Sequence, residues 1–221
     1  MEGVSRMNTC KICNAETESF VQDIFRVTYH SCPSCEFIYK DEGDLVSEEA
    51  EFEIYETHEN SIENEGYVSY LKRFLDHAVL PFKNGENKVL DFGSGPTPVL
   101  SMVMERDYGF KVDIYDLFYA PLKIYEGKTY DVVTSVEVVE HLAEPLVQFE
   151  ILKNILKDDG ILAIQTQFHP RDMDEFRKWH YMRDRSHIAF YTRKTMEKIA
   201  EIMELDLIYC DVVRYTTFRR K

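Results

Sequence analysis

The chain has 221 residues, 44% of them hydrophobic and 30% charged, which is enough apolar material for a packed core in one or two domains. It sets 26 Lys and Arg against 40 Asp and Glu, a formal net charge of -14; proteins that grip many phosphates usually present a basic face, so a nucleic-acid ligand is disfavoured. No segment approaches the roughly 18 uninterrupted apolar residues of a membrane span, and Met1–Arg6 lacks the apolar run of a signal peptide, which predicts a cytoplasmic protein whose thiols stay reduced.

Residues 1–40 are predicted to form a small zinc ribbon. Cys10 and Cys13, then Cys32 and Cys35, give C-x2-C-x18-C-x2-C. Each C-x2-C turn aims two thiolates at one centre, and four thiolates close a tetrahedron, so the implied Zn2+ is structural rather than catalytic. So short a segment buries too little apolar area to fold alone, and metal binding supplies the missing stability. Phe20–Tyr29 and Glu36–Tyr39 have strand character, and Cys210, outside the pattern, reads as a small buried residue.

Residues 41–86 are expected to form a helical linker or lid. Asp41–Asp44 contains Gly43 and reads as a connection; Ser47 is placed to cap a helix with carboxylates in its first turn. Tyr67, Tyr70, Leu71, Phe74, Leu75 and Ala78 recur at helical spacing, predicting a helix over Tyr67–Leu80 that Pro81 and Lys83-Asn84-Gly85 end. His58-Glu59-Asn60 lies either on a lid over the later core or at a helix end. The carboxylate-rich stretch Asp41–Glu65 lacks Lys and Arg, and fits a solvated helix face better than a docking surface.

Residues 87–221 alternate short strands and helices. The predicted strands are Lys88–Phe92, Lys111–Tyr115, Asp131–Val136 and Ile161–Thr166, then a hairpin of Asp206–Cys210 and Val212–Phe218. The predicted helices are Pro98–Arg106, capped by Thr97, Leu146–Leu156, closed by Asp158-Asp159-Gly160, and Thr192–Met203. Such alternation implies an α/β fold, a Rossmann-like, doubly wound and mostly parallel sheet with a C-terminal antiparallel hairpin.

The chemistry starts at Val89-Leu90-Asp91-Phe92-Gly93-Ser94-Gly95-Pro96, where a strand runs into a glycine turn before a helix. Glycines let a ligand approach the backbone, and a helix N-terminus favours an anion. Asp116 ends the next strand, where a carboxylate can accept both hydroxyls of a ribose. Tyr130-Asp131-Val132-Val133-Thr134-Ser135-Val136-Glu137-Val138-Val139-Glu140-His141 follows. In this order the three motifs resemble those of the class I S-adenosylmethionine-dependent methyltransferases, over about Lys88–Lys221. The resemblance implies S-adenosylmethionine as cofactor, with Asp91, Phe92, Gly93, Ser94 and Gly95 along its methionine part. It implies Asp116, beside Leu117, on the ribose, and Ser135, Glu137 and His141 bordering cofactor and substrate. The chain departs from the family in having Thr97 where a third glycine is common, and in a short stretch between Asp116 and Tyr130. The ribbon, Tyr55–Ser61, Gly66-Tyr67 and Trp179–Tyr191 are together similar to a group of bacterial methyltransferase-like proteins.

In that fold the acceptor lies beyond the C-terminal strand ends, near the loop that follows Ile161–Thr166. This loop carries His169, His180, Asp184 and His187. Histidine suits proton removal near neutral pH, so His187 is the leading candidate base, with Asp184 to orient it and His180 beside it. Trp179, Tyr181, Phe190 and Tyr191 either clamp a planar acceptor or pack the core. The expected activity is methylation of a small metabolite or a protein side chain. The alternatives are an RNA methyltransferase that docks substrate through the ribbon, and a non-catalytic S-adenosylmethionine-binding interaction module.

Overall fold

A computed structural model describes residues 8–56 and 60–221; Met1–Arg6 and, in the expected lid, His58 and Glu59 lie outside the described residues. Strands β1 (Glu18–Gln22), β2 (Val27–Ser31) and β3 (Ile38–Lys40) form an antiparallel meander beside the cysteines. The run expected as one strand over Phe20–Tyr29 is therefore a hairpin, turned at Arg26 with φ +56°. Helix α1 (Glu48–Tyr55) starts at Ser47, whose hydroxyl accepts from the Ala50 N–H as expected. Helix α2 (Glu65–Phe74) is capped by Asn64 and continues as a π-helical turn over Leu75–Val79.

The remaining elements are β4 (Lys88–Phe92), α3 (Val99–Tyr108), β5 (Lys111–Tyr115), β6 (Tyr130–Val136), α4 (Pro145–Asn154), β7 (Leu156–Gln165), α5 (Met173–Phe176), β8 (Ala189–Phe190), α6 (Arg193–Ile202), β9 (Leu205–Cys210) and β10 (Tyr215–Arg220). Their main sheet has the order β5-β4-β6-β7-β10-β9; the first four strands are parallel, and β10 runs antiparallel to both neighbours. This is the expected mostly parallel α/β sheet with a C-terminal hairpin. Successive strand residues alternate between faces. Val89, Val132, Ile161 and Ala163 pack with Leu71, Phe74 and Val103 on one side, while Leu90, Val133, Leu162 and Ile164 pack with Phe149, Leu152 and Ile199 on the other. Among the described residues no helix is long and apolar enough to cross a membrane.

Three boundaries differ from expectation. Pro98 occupies the cap position of α3 itself, without a side-chain cap bond, so Thr97 stands one residue outside it. Helix α4 stops at Asn154, because Leu156 already pairs with Tyr130; Asp158-Asp159-Gly160 is a bulge inside β7, with Asp159 at φ +60°. The last strand starts at Tyr215 rather than Val212, since Asp211 accepts three backbone N–H groups of the preceding turn and strand start.

Strand β3 also pairs with β8, far along the chain, so the ribbon meander gains a fourth strand from the loop that leads into α6. Thr195 donates its hydroxyl to the Cys35 carbonyl at 2.9 Å, and Lys40 Nζ reaches the Arg185 carbonyl at 2.7 Å. Burial lowers the Lys40 ammonium to about 8. Cys10, Ile12, Cys32, Cys35 and Phe37 join the apolar cluster of Tyr191, Met196 and Ile199. The ribbon thereby braces the segment from Tyr181 to Tyr191, which forms one wall of the site.

Candidate active site

The strand-to-helix turn after β4 is built on two glycines. Gly93 sits at φ +84° and Gly95 at φ +69°, a region that costs other residues steric strain. Gly93 and Ser94 donate their N–H groups to the Tyr115 carbonyl at 2.7 and 3.1 Å. A Cβ on Gly93 would lie 2.2 Å from Val138 Cγ2, whereas one on Gly95 would meet nothing within 4 Å. The turn therefore packs against the segment after β6 on one side and leaves the Gly95 side open.

Asp116 ends β5 beside it. One carboxylate oxygen accepts from Gly95 N–H at 2.9 Å, and the other accepts from Phe118 and Tyr119 N–H at 2.9 and 3.1 Å. Each carboxylate oxygen has two lone-pair sites, so these bonds fix the side chain and leave acceptor capacity. The connection from Asp116 to Tyr130 is short, as expected, closed by a bridge between Asp116 and Ala120.

These loops border a cavity of about 650 Å³, within the range of small-molecule and cofactor sites. Phe92, Gly93, Ser94, Gly95, Asp116, Leu117, Glu137 and His141 all line it, as do Asp184 and His187. Asp91 and Ser135 do not. Asp91 is buried behind the turn, where Ser101 and Thr134 donate their hydroxyls to it at 2.8 and 3.0 Å, and burial pushes its carboxyl up to about 6. Ser135 is fully buried within β6. Both support the wall from the sheet interior, because side chains alternate along β4 and β6. The roof is α1, which has no buried residue of its own. Phe52 and Tyr55 pack on Phe118 with ring centroids 5.5 Å apart, Tyr55 on His141 at 5.2 Å, and Tyr119 donates its hydroxyl to Glu56 at 2.7 Å. Asn60, from the expected lid, also lines the cavity.

The far end is a braced acidic and imidazole cluster. Glu137, at φ +53° after β6, accepts from Tyr70 hydroxyl at 2.7 Å, Gln165 amide at 3.0 Å and Tyr181 hydroxyl at 2.7 Å. Tyr181 also contacts Glu140. A phenol has one proton, so it cannot donate to both carboxylates at once; burial, then the Glu137 charge, raises the Glu140 carboxyl well above its ordinary range. His187 donates Nδ1–H to the Tyr181 carbonyl at 2.7 Å, which leaves its lone pair on Nε2, 3.8 Å from Asp184. Burial lowers the His187 imidazole below its ordinary value and favours the neutral ring. Burial opposes ionisation of Asp184, but hydrogen bonds from the Ser186 hydroxyl and N–H outweigh it and hold the carboxyl low. His141 Nδ1 lies 3.0 Å from the Ser186 carbonyl, and its ring meets His187 edge-on at 4.9 Å.

His180 is not part of this cluster. It is exposed on the turn before Tyr181, edge-on to Trp179, and does not line the cavity. His169 bonds the Glu36 carbonyl at 2.7 Å and so fastens the ribbon to the core. Of the two readings of the aromatic side chains, core packing is the one seen: none of Trp179, Tyr181, Phe190 and Tyr191 lines the cavity, Trp179 and Phe190 pack around Phe176, and Tyr191 donates its hydroxyl to the Val139 carbonyl. Tyr70, Gln165 and Tyr181, which brace Glu137, carry no signal in the sequence, because they converge from helix, strand and loop.

The four ribbon thiols also converge. The Cys10–Cys35 and Cys13–Cys32 sulfurs are 3.5 Å apart, and all four lie within 4.8 Å of one another. A tetrahedral Zn2+ with Zn–S bonds of about 2.3 Å separates its sulfurs by about 3.8 Å, so the set fits that ion.

Residues 65–209 match the methyltransferase domain family. Among solved structures, an O-methyltransferase family protein from Burkholderia thailandensis superposes with a TM-score of 0.51 at 12% identity, covering 71% of this chain and 56% of that one. An O-methyltransferase family 2 protein from Planctomyces limnophilus, solved in complex with apigenin, gives 0.53 at 13% identity, covering 68% of this chain and 57% of that one. The chain thus spans a little over half the length of these proteins, and at such identities the likeness is one of fold. No curated protein matches the sequence.

Proposed function

The chain belongs to the methyltransferase domain family, and from that premise we propose that it is an S-adenosylmethionine-dependent methyltransferase acting on a small metabolite or a protein side chain. The observation that carries this reading is the pairing of the Gly93–Gly95 turn with Asp116 at the wall of the cavity. The open side of Gly95 leaves room for a cofactor against the backbone, and the Asp116 carboxylate, fixed by three backbone N–H groups, keeps one lone-pair site on Oδ2 to accept from a ribose hydroxyl. The cofactor supplies an electrophilic methyl group on a sulfonium, and the reaction is an in-line displacement.

The chain's own residues then do three things. Asp116 and the glycine turn fix the cofactor's position. The α1 roof, through Phe52 and Tyr55, screens the reacting centre from water. His187, neutral and buried beside Asp184, activates the acceptor at the far end. Glu51, Asp116, Glu137 and Asp184 make the cavity wall acidic; that repels phosphate and favours a small-molecule or protein acceptor over RNA. We further propose that the four ribbon thiolates hold one structural Zn2+.

The test is transfer itself. Protein incubated with methyl-tritiated S-adenosylmethionine and cell extract, fractionated by size, is expected to label a small-molecule or polypeptide fraction. The Asp116→Ala variant is expected to label far less. Label confined to RNA, or equal labelling with the variant, contradicts the reading.

A further inference from the structure

We propose that the acceptor is a cation, and that Glu51 and Asp184 hold its protonated amine or guanidinium group at the far end of the cavity. The first support is the charge of the lining. Glu51, Asp116, Glu137 and Asp184 all face the cavity, and no Lys or Arg lines it among the described residues. The proposed cofactor answers only part of this charge, because its sulfonium and ammonium are set against its own carboxylate and leave a single net positive charge. Carboxylates drawn out of water without a counter-charge are costly, so the second ligand gains affinity by bringing one.

The second support is which carboxylates remain open to a ligand. Asp116 is assigned to the cofactor ribose. Glu137 is filled by the Tyr70 and Tyr181 hydroxyls and the Gln165 amide. Glu51, on the α1 roof, accepts only from the Tyr55 hydroxyl among the described residues, at 2.8 Å. Burial, together with the charges of Glu48 and Asp184, raises its carboxyl above the ordinary value; an acid that faces another acid responds in this way. Asp184 comes from the opposite wall. Ser186 donates its N–H and hydroxyl to Oδ1, and Oδ2 lies 3.8 Å from His187 Nε2. Roof and wall thus bring two carboxylates to one end of the cavity.

The third support is the surroundings. Tyr55, Tyr67, Phe118 and Tyr119 also line the cavity, and aromatic faces attract cations. The first turn of α1 carries Glu48, Glu49 and Glu51, and residues 41–65 contain no Lys or Arg. The field over the roof therefore draws a cation in and turns an anion away. A protonated nitrogen has no lone pair with which to attack a methyl group, so the held group is the handle that orients the acceptor, and another of its atoms takes the methyl. The inference rests on the methyltransferase reading only in calling the bound cation an acceptor.

The test is isothermal titration of the full chain, loaded with Zn2+ and saturated with S-adenosylhomocysteine. One probe is spermidine, for a small-molecule source of the cation; the other is a short peptide of alternating Arg and Gly, for a polypeptide source. One saturable equivalent of at least one probe is expected, and the tighter of the two names the source. Glu51→Gln is expected to weaken that binding about tenfold or more. Glu53→Gln removes the same charge from an exposed position of the same helix and is expected to leave it unchanged. Helix α1 has no buried residue, so both variants are expected to fold. Equal weakening by the two variants reduces the binding to the general attraction of an acidic protein and overturns the proposal, as does saturable binding of a peptide with citrulline in place of arginine. Binding of S-adenosylhomocysteine with no saturable binding of either cation refutes this inference alone; Glu51-dependent cation binding with no cofactor binding refutes the methyltransferase reading alone.

Discussion

Replacing Gly93 by alanine separates two penalties that the structure makes distinct. At φ +84° an L-residue is strained, by about 1–2 kcal/mol. The new Cβ would also lie 2.2 Å from Val138 Cγ2 and 3.1 Å from its Cγ1, overpacking worth about 1–3 kcal/mol. Together the loss is about 2–5 kcal/mol, or roughly 4–20 °C in melting temperature for a protein of this size, at about 2–4 °C per kcal/mol. Gly95→Ala carries only the strain, because nothing lies within 4 Å of its Cβ; it is expected to melt within about 2–8 °C of wild type. The open side of Gly95 is where the cofactor is proposed to lie, so this milder variant is expected to lose more S-adenosylmethionine affinity per degree of melting. The decisive assay is a double-mutant cycle of Gly93→Ala with Val138→Ala, followed by thermal unfolding. Removing the two valine methyl groups should restore the overpacking part, a coupling of about 1–3 kcal/mol. Additive losses in that cycle would refute the packing argument, and equal melting of Gly93→Ala and Gly95→Ala would refute the distinction between the two glycines.

Three further outcomes follow from the same geometry. Burial lowers the His187 pKa in the folded protein below its ordinary value of 6.5. Its stabilising contribution is therefore present above that pH and lost as pH falls through the depressed value; the acid limb of the pH–rate profile should have its midpoint below 6.5, and a midpoint above it contradicts a buried neutral ring. Tyr181→Phe leaves Glu137 and Glu140 each short of a partner, which should cost about 1–3 kcal/mol and lower the melting temperature by about 2–12 °C, with cofactor affinity preserved; a loss of affinity without a loss of stability contradicts the bracing role. The Cys10→Ser, Cys32→Ser double variant should lose its zinc by metal analysis after dialysis, and should melt earlier because β3 carries β8 with it; unchanged zinc content sinks the tetrathiolate assignment.

The parts of this molecule that were legible in the sequence are those whose signal is local. The glycine turn, Asp116 at a strand end and the two cysteine pairs each announce a conformation or a donor set within a few residues. The strand pattern is local too, most plainly in β6, which is buried on both faces nearly throughout. Where local patterns compete, the sequence misleads. Leu146–Leu156 has the spacing of one helix, yet pairing of Leu156 with Tyr130 claims its last residue for β7, and Asp159 at φ +60° turns a helix-ending motif into a bulge. The acceptor side was half legible. His187 and Asp184 do come together at 3.8 Å, but His180, only a few residues earlier, stands exposed on the other side of the Tyr181 turn. The braces on Glu137 come from Tyr70, Gln165 and Tyr181, contacts spanning 67, 28 and 44 positions of chain, which no spacing rule connects. The pairing of β3 with β8 rests on a strand two residues long, too short to leave a period in the sequence.

The central claim, that the Gly93–Gly95 turn and Asp116 hold S-adenosylmethionine, is tested most directly by isothermal titration of the wild type and of Asp116→Ala. One equivalent is expected to bind the wild type. The variant, stripped of charge-assisted hydrogen bonds worth about 1.5–3 kcal/mol, is expected to bind about ten- to a hundredfold more weakly. The absence of saturable binding to the wild type, or full-strength binding by the variant, contradicts the account.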